Sequence, residues 1–457
     1  MIELTKNYEN LANQGMSAEK LASEFINDYF KNSTISFPIN PFQILKELNV
    51  LFTLRPFKNY DGIYIPAENS DDIPVVGINL NRPITRQRYS AAHELCHFLK
   101  DSHKQFACIP NSRNLIEQYA EKFASELLMP IKELKKQAIK YSKNGYVDLD
   151  SVLRISDYFG VSFQSCLFSL AYKLHMIEGD VNPDRLKKLA KKFKPDNERK
   201  KLNLSNTVLY EQLIDAMGSI MNFKPTEYAL QKFKAEYIYH DSRMEGINID
   251  QETASQIVID LRINKQESEY CKEENQNIIE VAGLTFAYDY AFEECKELIT
   301  VYDAKHINEK LFCTAPFPEY GGMYRQTNTL VLGSKFETID FHEISLEMKN
   351  LDNEIKEFMD ESNELSISEY IKCVANIHHR LTVIHAFRDG NGRTSRVFAN
   401  MMLLRRNIYP IFFSGQQKDE YKEALKDADL KGAFENLYEC FYKSILNSFS
   451  TLSDFTF

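Results

Sequence analysis

The sequence lacks the long hydrophobic runs that mark membrane-spanning and secreted proteins. No run reaches the roughly 18 apolar residues that a spanning helix needs, and the best one, residues 401–404, ends at Arg405 and Arg406. Residues 1–15 are polar and contain two glutamates, so we expect no signal peptide at this end. Only 16 glycines and 14 prolines occur among 457 residues. That is too few for a propeller, a collagen or a long flexible linker.

The sequence also lacks an excess of basic residues and any regular spacing of cysteines. Its formal net charge of -10 argues against broad electrostatic binding to nucleic acid. The eight cysteines form neither CxxC pairs nor a disulfide-like pattern, which favours reduced thiols. Tryptophan is absent, so the 25 tyrosines and 31 phenylalanines are expected to supply the aromatic core. We therefore expect a cytoplasmic protein that binds no membrane and is unlikely to bind nucleic acid.

The length and the 44% hydrophobic content predict more than one folded domain. A stretch at residues 181–204 is rich in lysine and holds two prolines, so we predict a basic linker there. It would separate a domain at 1–180 from a second domain at 205–457. We interpret its lysines as a solvated helix face, in preference to a nucleic-acid patch.

The two predicted domains differ in their patterns. In the first, β-prone runs at 50–54, 62–65 and 75–80 precede two helical patterns, which predicts an α+β fold with a small sheet. Residues 147–177 suggest two helices, and we favour a packed helical hairpin over a helix-turn-helix. Beyond about 205 the chain is predicted to be helical, except for a β-hairpin near 323–332.

The first chemical motif is HExxH, formed by His93, Glu94 and His97. The two histidines are one helical turn apart on one face, where both imidazoles can hold one Zn²⁺. Glu94 then lies beside the open position of the metal, where it can deprotonate bound water. A third ligand is still needed, and the next helix offers Glu117 and Glu121. His103 is an alternative ligand, but it follows the helix end and is a more natural surface residue.

HExxH followed by ExxxE and by the run Phe123-Ala124…Leu127-Leu128-Met129-Pro130 resembles the ImmA/IrrE family of metallopeptidases over roughly residues 20–177. The resemblance implies a zincin-like α+β domain with Zn²⁺ bound by His93, His97 and Glu117. It places Glu121 in a supporting role behind the ligands and Glu94 as the catalytic base. Because members of this family often act as regulators, a zinc site here need not mean a fast peptidase.

The second motif is a glycine-rich turn between two helical patterns, at 370–384 and 394–404. A turn of this kind that opens a helix presents backbone N–H groups as an anion cradle. Two arginines in the first turn of the new helix oppose the helix dipole, which indicates an anionic ligand. Aspartate at the mouth suits Mg²⁺ that bridges phosphates, and the histidine before the turn can act as a general base. These residues are His385, Asp389, Gly390, Asn391, Gly392, Arg393 and Arg396.

The run from His385 to Arg396 resembles the Fic family signature HxFx(D/E)GNGRxxR at every defined position, with Ala386 where most members have proline. The resemblance spans about residues 205–445 and implies a mainly α Fic fold. It also implies transfer of AMP from ATP to a Ser, Thr or Tyr hydroxyl of a target protein. His385 would deprotonate that hydroxyl and Asp389 would hold Mg²⁺. The cradle Gly390, Asn391 and Gly392, together with Arg393 and Arg396, would bind the phosphates.

Two further segments are similar to parts of that family. The hairpin near 323–332, with Tyr324, Arg325 and Val331, looks like the flap to which a target segment adds as a strand. Residues 241–246 resemble the inhibitory motif (S/T)xxxE(G/N) within a helix near 234–246. Glu245 would then pair with Arg396 in the place of the γ-phosphate. Asp241 stands where Ser or Thr is usual, so we consider Ser242 as a substitute cap, and a plain surface glutamate remains the alternative for Glu245.

Taken together, these patterns predict a zinc peptidase-like domain fused to a self-inhibited protein adenylyltransferase that uses ATP, Mg²⁺ and Zn²⁺. One alternative is that the second domain mainly removes AMP or transfers another phosphorylated group. Another is a regulatory adaptor whose zinc domain binds or cleaves a partner such as a helix-turn-helix repressor.

Overall fold

The computed structural model of the chain describes residues 2–69, 71–108, 114–224, 226–296, 298–329, 338–415 and 417–452. The contacts divide the chain into two compact units, Met1–Met217 and Gly218–Phe457. The first unit combines a small sheet with helices and the second is mainly helical, which confirms the predicted fold class. Among the described helices, we find none that combines the length and the hydrophobicity required to span a bilayer.

The sheet of the first unit has four strands in the order β1-β3-β2-β4. Strand β3 lies parallel to β1 and antiparallel to β2, and β2 is antiparallel to β4. The three strands predicted from β-prone runs are confirmed, whereas the three-residue β4 has no sequence signal of its own. The strands are β1 (Leu51–Arg55), β2 (Gly62–Ile65), β3 (Val75–Asn79) and β4 (Phe106–Cys108).

Helix α4 lies in the core of this unit and contacts β2, β3, α1, α3 and α5. Every residue of α4 from Ser90 to Leu99 is buried, because the sheet covers one side and helices cover the other. The helices of the unit are α1 (Ile2–Asn13), α2 (Ala18–Tyr29), α3 (Pro41–Glu47), α4 (Ile84–Lys100), α5 (Leu115–Leu128), α6 (Ile131–Tyr141), α7 (Leu149–Phe159), α8 (Phe163–Tyr172), α9 (Pro183–Phe193), α10 (Pro195–Lys201) and α11 (Thr207–Met217).

The segment predicted as a basic linker contains helices α9 and α10, and both belong to the first unit. Its lysines at 187, 188, 191 and 192 are exposed, whereas Leu186 is buried, as expected for a solvated helix face. Helix α11 packs against α3 and α4 within the first unit. The predicted division into 1–180, 181–204 and 205–457 would assign α11 to the second domain. That division stays a prediction.

Helix α18 occupies the centre of the second unit and contacts α14, α15 and α17. All of its residues from Arg393 to Leu404 are buried, although they include two arginines and an asparagine besides the apolar residues. The helices are α12 (Glu227–Met244), α13 (Gln251–Asn264), α14 (Gln276–Glu294), α15 (Val301–Phe312), α16 (Ile344–Glu361), α17 (Ile367–Ile384), α18 (Asn391–Arg405), α19 (Gln417–Lys431) and α20 (Glu435–Leu452), with 3₁₀ turns at Gly218–Met221, Lys265–Glu267, Glu269–Lys272 and Pro318–Tyr320.

The hairpin predicted near 323–332 falls partly outside the described residues. Its first strand position is present as a single antiparallel bridge between Tyr324 and Phe387. Val331, which we assigned to the flap, lies outside the described residues, so the hairpin stays a prediction.

Candidate functional site

The first unit brings the HExxH histidines against the next helix. Helix α4 places His93 and His97 one turn apart, with their Nε2 atoms 3.2 Å from each other. Asn114 caps α5 through the N–H of Ile116, and Glu117 lies in the first turn of that helix. Its carboxylate oxygens lie 3.2 Å from His93 Nε2 and 3.7 Å from His97 Nε2. The three side chains are buried and converge on one point.

This donor set fits Zn²⁺. Two Zn–N bonds of about 2.0–2.1 Å at a tetrahedral angle put the nitrogens about 3.3 Å apart, close to the separation in the structure. Glu94 is fully buried, and neither carboxylate oxygen has a hydrogen-bond partner among the described residues. A Cβ at Gly62 would lie only 2.4 Å from Glu94 Oε1, so a larger residue in strand β2 would displace the Glu94 carboxylate from its present position. An unpaired carboxylate beside two imidazoles is the arrangement that a metal-bound water would complete.

Asp101 supports His97 from the side of the ring that faces away from the other two ligands. The sequence analysis did not identify this residue. His97 Nδ1 lies 3.3 Å from Asp101 Oδ2, and Lys100 donates to the other oxygen at 2.9 Å. A carboxylate on Nδ1 fixes that nitrogen as the protonated one and leaves the Nε2 lone pair for a metal. Glu121, expected in this role, is only partly buried, and its backbone carbonyl accepts from Tyr89. The spacing of four residues from His97 to Asp101 was the available signal. His103 is exposed.

The second unit builds the glycine-rich loop between α17 and α18. His385 ends α17 in the left-handed region at φ 49°, and Gly390 precedes α18 at φ 72°. The Asn391 side chain closes the loop, because it donates to the Phe387 carbonyl at 2.8 Å and accepts from the Phe387 N–H at 2.9 Å. Asp389 is exposed, and its Oδ1 accepts from the Gly390 N–H at 2.6 Å. A carboxylate anchored by one oxygen and open to solvent fits a hard cation such as Mg²⁺.

Asn308 of α15 holds this loop in place, and no motif in the sequence indicated it. Its buried amide nitrogen donates to the Asp389 carbonyl and to Thr394 Oγ1, both at 3.0 Å. Its oxygen accepts from the Gly322 N–H at 2.9 Å. One side chain therefore ties the loop, the first turn of α18 and the start of the predicted flap together.

The surroundings of His385 favour its neutral form. Burial lowers the pKa of the imidazole, and the positive charge of Arg325 lowers it further, against opposing effects of Thr382 and Asp389. Arg325 reaches this place because its Nε donates to the His385 carbonyl at 2.8 Å and its backbone N–H donates to Ala386. Tyr324 and Arg325 thus lie beside the loop, and their assignment to a target-binding flap stays a prediction. A neutral imidazole can accept a proton at pH 7.

Both loop arginines are buried and paired with carboxylates. Arg393 donates to Glu280 of α14 at 2.7 Å, a pair that the sequence did not indicate. Arg396 donates through Nη2 to Glu245 at 2.5 Å and through Nε to Asp241. A Cβ at Gly392 would lie 3.1 Å from Glu245 Oε1, so the Glu245 carboxylate lies directly over the glycine loop.

At the end of α12, residues 241–246 do not make the contacts expected from the inhibitory motif with Ser242 as a substitute cap. Burial by itself would raise the pKa of Glu245, but Arg396 and Arg393 lower it below its ordinary value. Ser242 is fully buried and its hydroxyl has no partner among the described residues, so it does not act as the substitute cap. Asp241 instead binds Arg396 directly. Glu245 is therefore an ion-paired residue inside the site.

Two families match this chain, each over one part of it. Residues 45–171 match the IrrE N-terminal-like domain, and residues 298–403 match the Fic/DOC family. The first stretch contains the histidine and glutamate cluster, and the second contains Asn308, His385 and the glycine loop.

The chain is also similar to proteins with an assigned name. "Protein adenylyltransferase Fic" of Nematostella vectensis is 27% identical over 210 residues, 45% of this chain and 45% of that protein. Its counterpart in Aedes aegypti is 25% identical over 256 residues, 54% of this chain and 48% of that protein. The chain thus spans about half the length of the curated relatives it matches. A solved structure of Fic-1 from C. elegans has 17% identity and a TM-score of 0.45, over 71% of this chain and 93% of that one. The chain thus contains a region that matches the IrrE N-terminal-like domain, followed by a region that matches the Fic/DOC family.

Proposed function

We propose that the C-terminal domain transfers AMP from ATP to a Ser, Thr or Tyr hydroxyl of a target protein. The observation that carries this proposal is the placement of the loop Gly390–Gly392 and the buried Arg396 around one anion-sized position, which Glu245 occupies, with His385 at the start of the same loop. The name protein adenylyltransferase, borne by relatives of this domain, supports it. The same loop could serve AMP removal, so the direction of transfer is part of what the experiment must test.

In this mechanism His385 takes the proton of the target hydroxyl as its oxygen attacks the α-phosphorus of ATP. A new O–P bond forms to the AMP moiety, and the bond between the α-phosphorus and the bridging oxygen breaks, so pyrophosphate leaves. The lowered pKa of His385 keeps its ring neutral before the reaction. The proton thus moves from the hydroxyl to an imidazole already positioned at the loop.

The loop and the arginines bind the phosphates. Backbone N–H groups at the start of α18 provide donors and the positive end of a helix dipole. Arg393 lies in the first turn of that helix and Arg396 in the second, and both can neutralise the charge of the leaving pyrophosphate. Asp389 would hold Mg²⁺, which when bound shields the charge between the phosphates.

Glu245 restrains the reaction in this proposal. Its carboxylate uses Arg396 Nη2 and covers Gly392, where an outer phosphate would bind. Because two anions cannot share this position, ATP must displace Glu245 before its phosphates can align for attack.

The experiment compares wild type, Glu245→Gly and His385→Ala with labelled ATP and bacterial lysate. We expect Glu245→Gly to label more protein than wild type. His385→Ala should lose labelling by about 10²–10⁴-fold while still binding ATP, because only the base is removed. Intact-mass analysis identifies AMP on the labelled band. Equal labelling by all three proteins would exclude the proposed site, and loss of AMP from a modified target would support the reverse reaction.

We propose a second activity, zinc-dependent peptide hydrolysis, for the N-terminal domain. The cluster of His93, His97 and Glu117 supports it, together with the unpartnered carboxylate of Glu94. Zn²⁺ would supply an activated water in this site, and Glu94 would accept its proton. The test incubates the zinc-loaded protein with candidate repressor-type proteins, with Glu94→Gln as the matched control that keeps the ligands. Cleavage by both proteins alike would contradict this role of Glu94.

A further inference from the structure

Arg396 is the most completely enclosed cation of the Fic site. Its side chain is 4% exposed, and it contacts Asp241 through Nε and Glu245 through Nη2. Burial opposes its charge, yet Asp241 and Glu245 hold its pKa well above the ordinary value. Two carboxylates therefore share one guanidinium, and their roles need not be the same.

The two carboxylates differ in how firmly the fold holds them. The Asp241 side chain is 2% exposed and lies within the last turns of α12. The Glu245 side chain is 36% exposed and sits at the C-cap, beside Gly246 with φ 87°. Glu245 can leave Arg396 by rotating into solvent, whereas Asp241 can leave only if the end of α12 unwinds.

Two buried hydrogen bonds fix the backbone next to Arg396. His378 Nδ1 lies 3.1 Å from the Ser395 carbonyl, and since a carbonyl only accepts, Nδ1 carries the proton. His378 Nε2 must then accept from the Tyr421 hydroxyl, 2.7 Å away. Burial lowers the pKa of His378 to about 3, so the ring is neutral and this polarity holds. The backbone that carries Arg396 is thus held independently of Asp241.

We propose that Asp241 is a positioning residue: it stays on Arg396 Nε throughout, and it presents Nη2 to whichever anion, Glu245 or an outer phosphate of ATP, occupies the glycine loop. This inference rests on the proposed transferase function and deepens it. Glu245 is then the exchangeable anion and Asp241 the permanent one. If Asp241 were inhibitory, its removal would raise AMP-transfer activity. If Asp241 is a positioning residue, its removal lowers that activity.

The test uses the full chain with Glu245→Gly as the reference, so that the exchangeable anion is already absent. Asp241→Ala should lower ATP affinity and kcat/KM about 10- to 100-fold, since a misplaced Arg396 no longer meets the phosphate. Asp241→Asn keeps an acceptor for Nε and should recover most of this loss. If Asp241→Ala equals or exceeds the reference, the positioning role is wrong and Asp241 is neutral or inhibitory.

Two measurements keep the inference separate from the proposed reaction. Equilibrium ATP binding is measured for every variant. If the reference protein binds ATP but transfers no AMP, the proposed reaction is refuted. The order of the ATP affinities among the variants then still tests the positioning role of Asp241. Thermal unfolding checks the fold of Asp241→Ala. Should it not fold, Asp241→Thr in the same background removes the carboxylate with little change in side-chain volume and should weaken ATP binding about 3- to 10-fold. Unchanged ATP binding in Asp241→Thr would then overturn the proposal.

Discussion

Individual side chains in both sites have their charge set by neighbours from distant parts of the chain. His385 is kept neutral by burial and by Arg325, while Arg396 is kept charged by Asp241 and Glu245. In the proposed reaction the base must be uncharged and the phosphate ligand cationic at the same pH. The fold suits both needs, because it places the imidazole near a cation and the guanidinium near anions.

The lowered pKa of His385 predicts the acidic limb of the pH profile. A base works in its unprotonated form, and a pKa below the ordinary 6.5 keeps that form populated at lower pH. The value of kcat/KM for AMP transfer by Glu245→Gly should therefore rise to its plateau with a midpoint below pH 6.5. Initial rates at limiting ATP between about pH 5 and 8 provide the measurement. A midpoint above 6.5 would contradict the assignment of His385 as the base.

The pair of Arg393 and Glu280 predicts that a carboxylate competes with ATP. Glu280 accepts from Arg393 at 2.7 Å and is partly exposed. Glu280→Gln removes a negative charge beside the phosphates, so ATP should bind a few-fold more tightly, as measured by titration calorimetry. Glu293→Gln on the same helix changes an exposed glutamate and should leave the affinity unchanged. Weaker binding in Glu280→Gln would mean that Glu280 supports Arg393 instead.

The metal cluster predicts zinc content residue by residue. The protein should contain about one equivalent of zinc, and Glu117→Ala should lose it because one of three ligands is removed. Glu121→Ala, one turn along the same helix, should keep its zinc. Elemental analysis after dialysis gives both values. Loss of zinc from Glu121→Ala alone would reverse the assignment of the two glutamates.

The packing of helices around α18 places the residues of the glycine-loop site, and α14 and α15 approach each other closely within it. A Cβ at Gly283 of α14 would lie 2.1 Å from the Leu311 carbonyl oxygen of α15, the helix that carries Asn308. The loop thus depends on a contact that only glycine allows.

Gly283→Ala should therefore lower stability, although alanine favours a helix by about 0.5–1 kcal/mol. The clash with the backbone is expected to cost more than that gain, about 1–3 kcal/mol net or more, since neither backbone can yield locally. Thermal unfolding should show a lower Tm, and ATP affinity should fall as Asn308 moves. Gly415→Ala is the control, because nothing lies within 4 Å of its Cβ. Equal Tm values for the two variants would refute the role of this contact.

At the level of the whole chain, the position of α11 determines where the first unit can be cut. Leu213 and Ile214 of α11 are fully buried within it. Arg88, also fully buried, donates to Gln212 of α11, to the Gly160 carbonyl and to the Ile39 carbonyl. Burial lowers the pKa of Arg88 to about 9, so the loss of any partner leaves a costly buried cation.

A fragment of residues 1–217 should thus be more stable than one of residues 1–204. We expect a difference of about 3–5 kcal/mol, because the shorter fragment leaves a cavity and an incompletely paired guanidinium. Urea unfolding followed by circular dichroism measures both, and zinc content reports on the site. Equal stability would place the boundary nearer to residue 204, as the composition of 181–204 predicts.

The sequence by itself determined the features that depend on local spacing. His93 and His97 share a helix face because four residues make about one turn, and the glycine loop precedes a helix that starts at Asn391, as an anion cradle would require. The three β-prone runs became strands because their β-branched and aromatic residues favour extended backbone within four or five residues. Asp101 belongs to this class too, since it lies four residues after His97.

Only the tertiary structure decided which distant groups meet. Asp241 and Glu280 lie 155 and 113 positions from the arginines that they bind, and Asn308 lies 81 positions from Asp389. No local pattern specifies such pairs, because each depends on how α12, α14 and α15 pack around α18. Whether a carboxylate is a solvated surface group or the counter-ion of a buried arginine is set by that packing, which removes water from one side chain and leaves it on another.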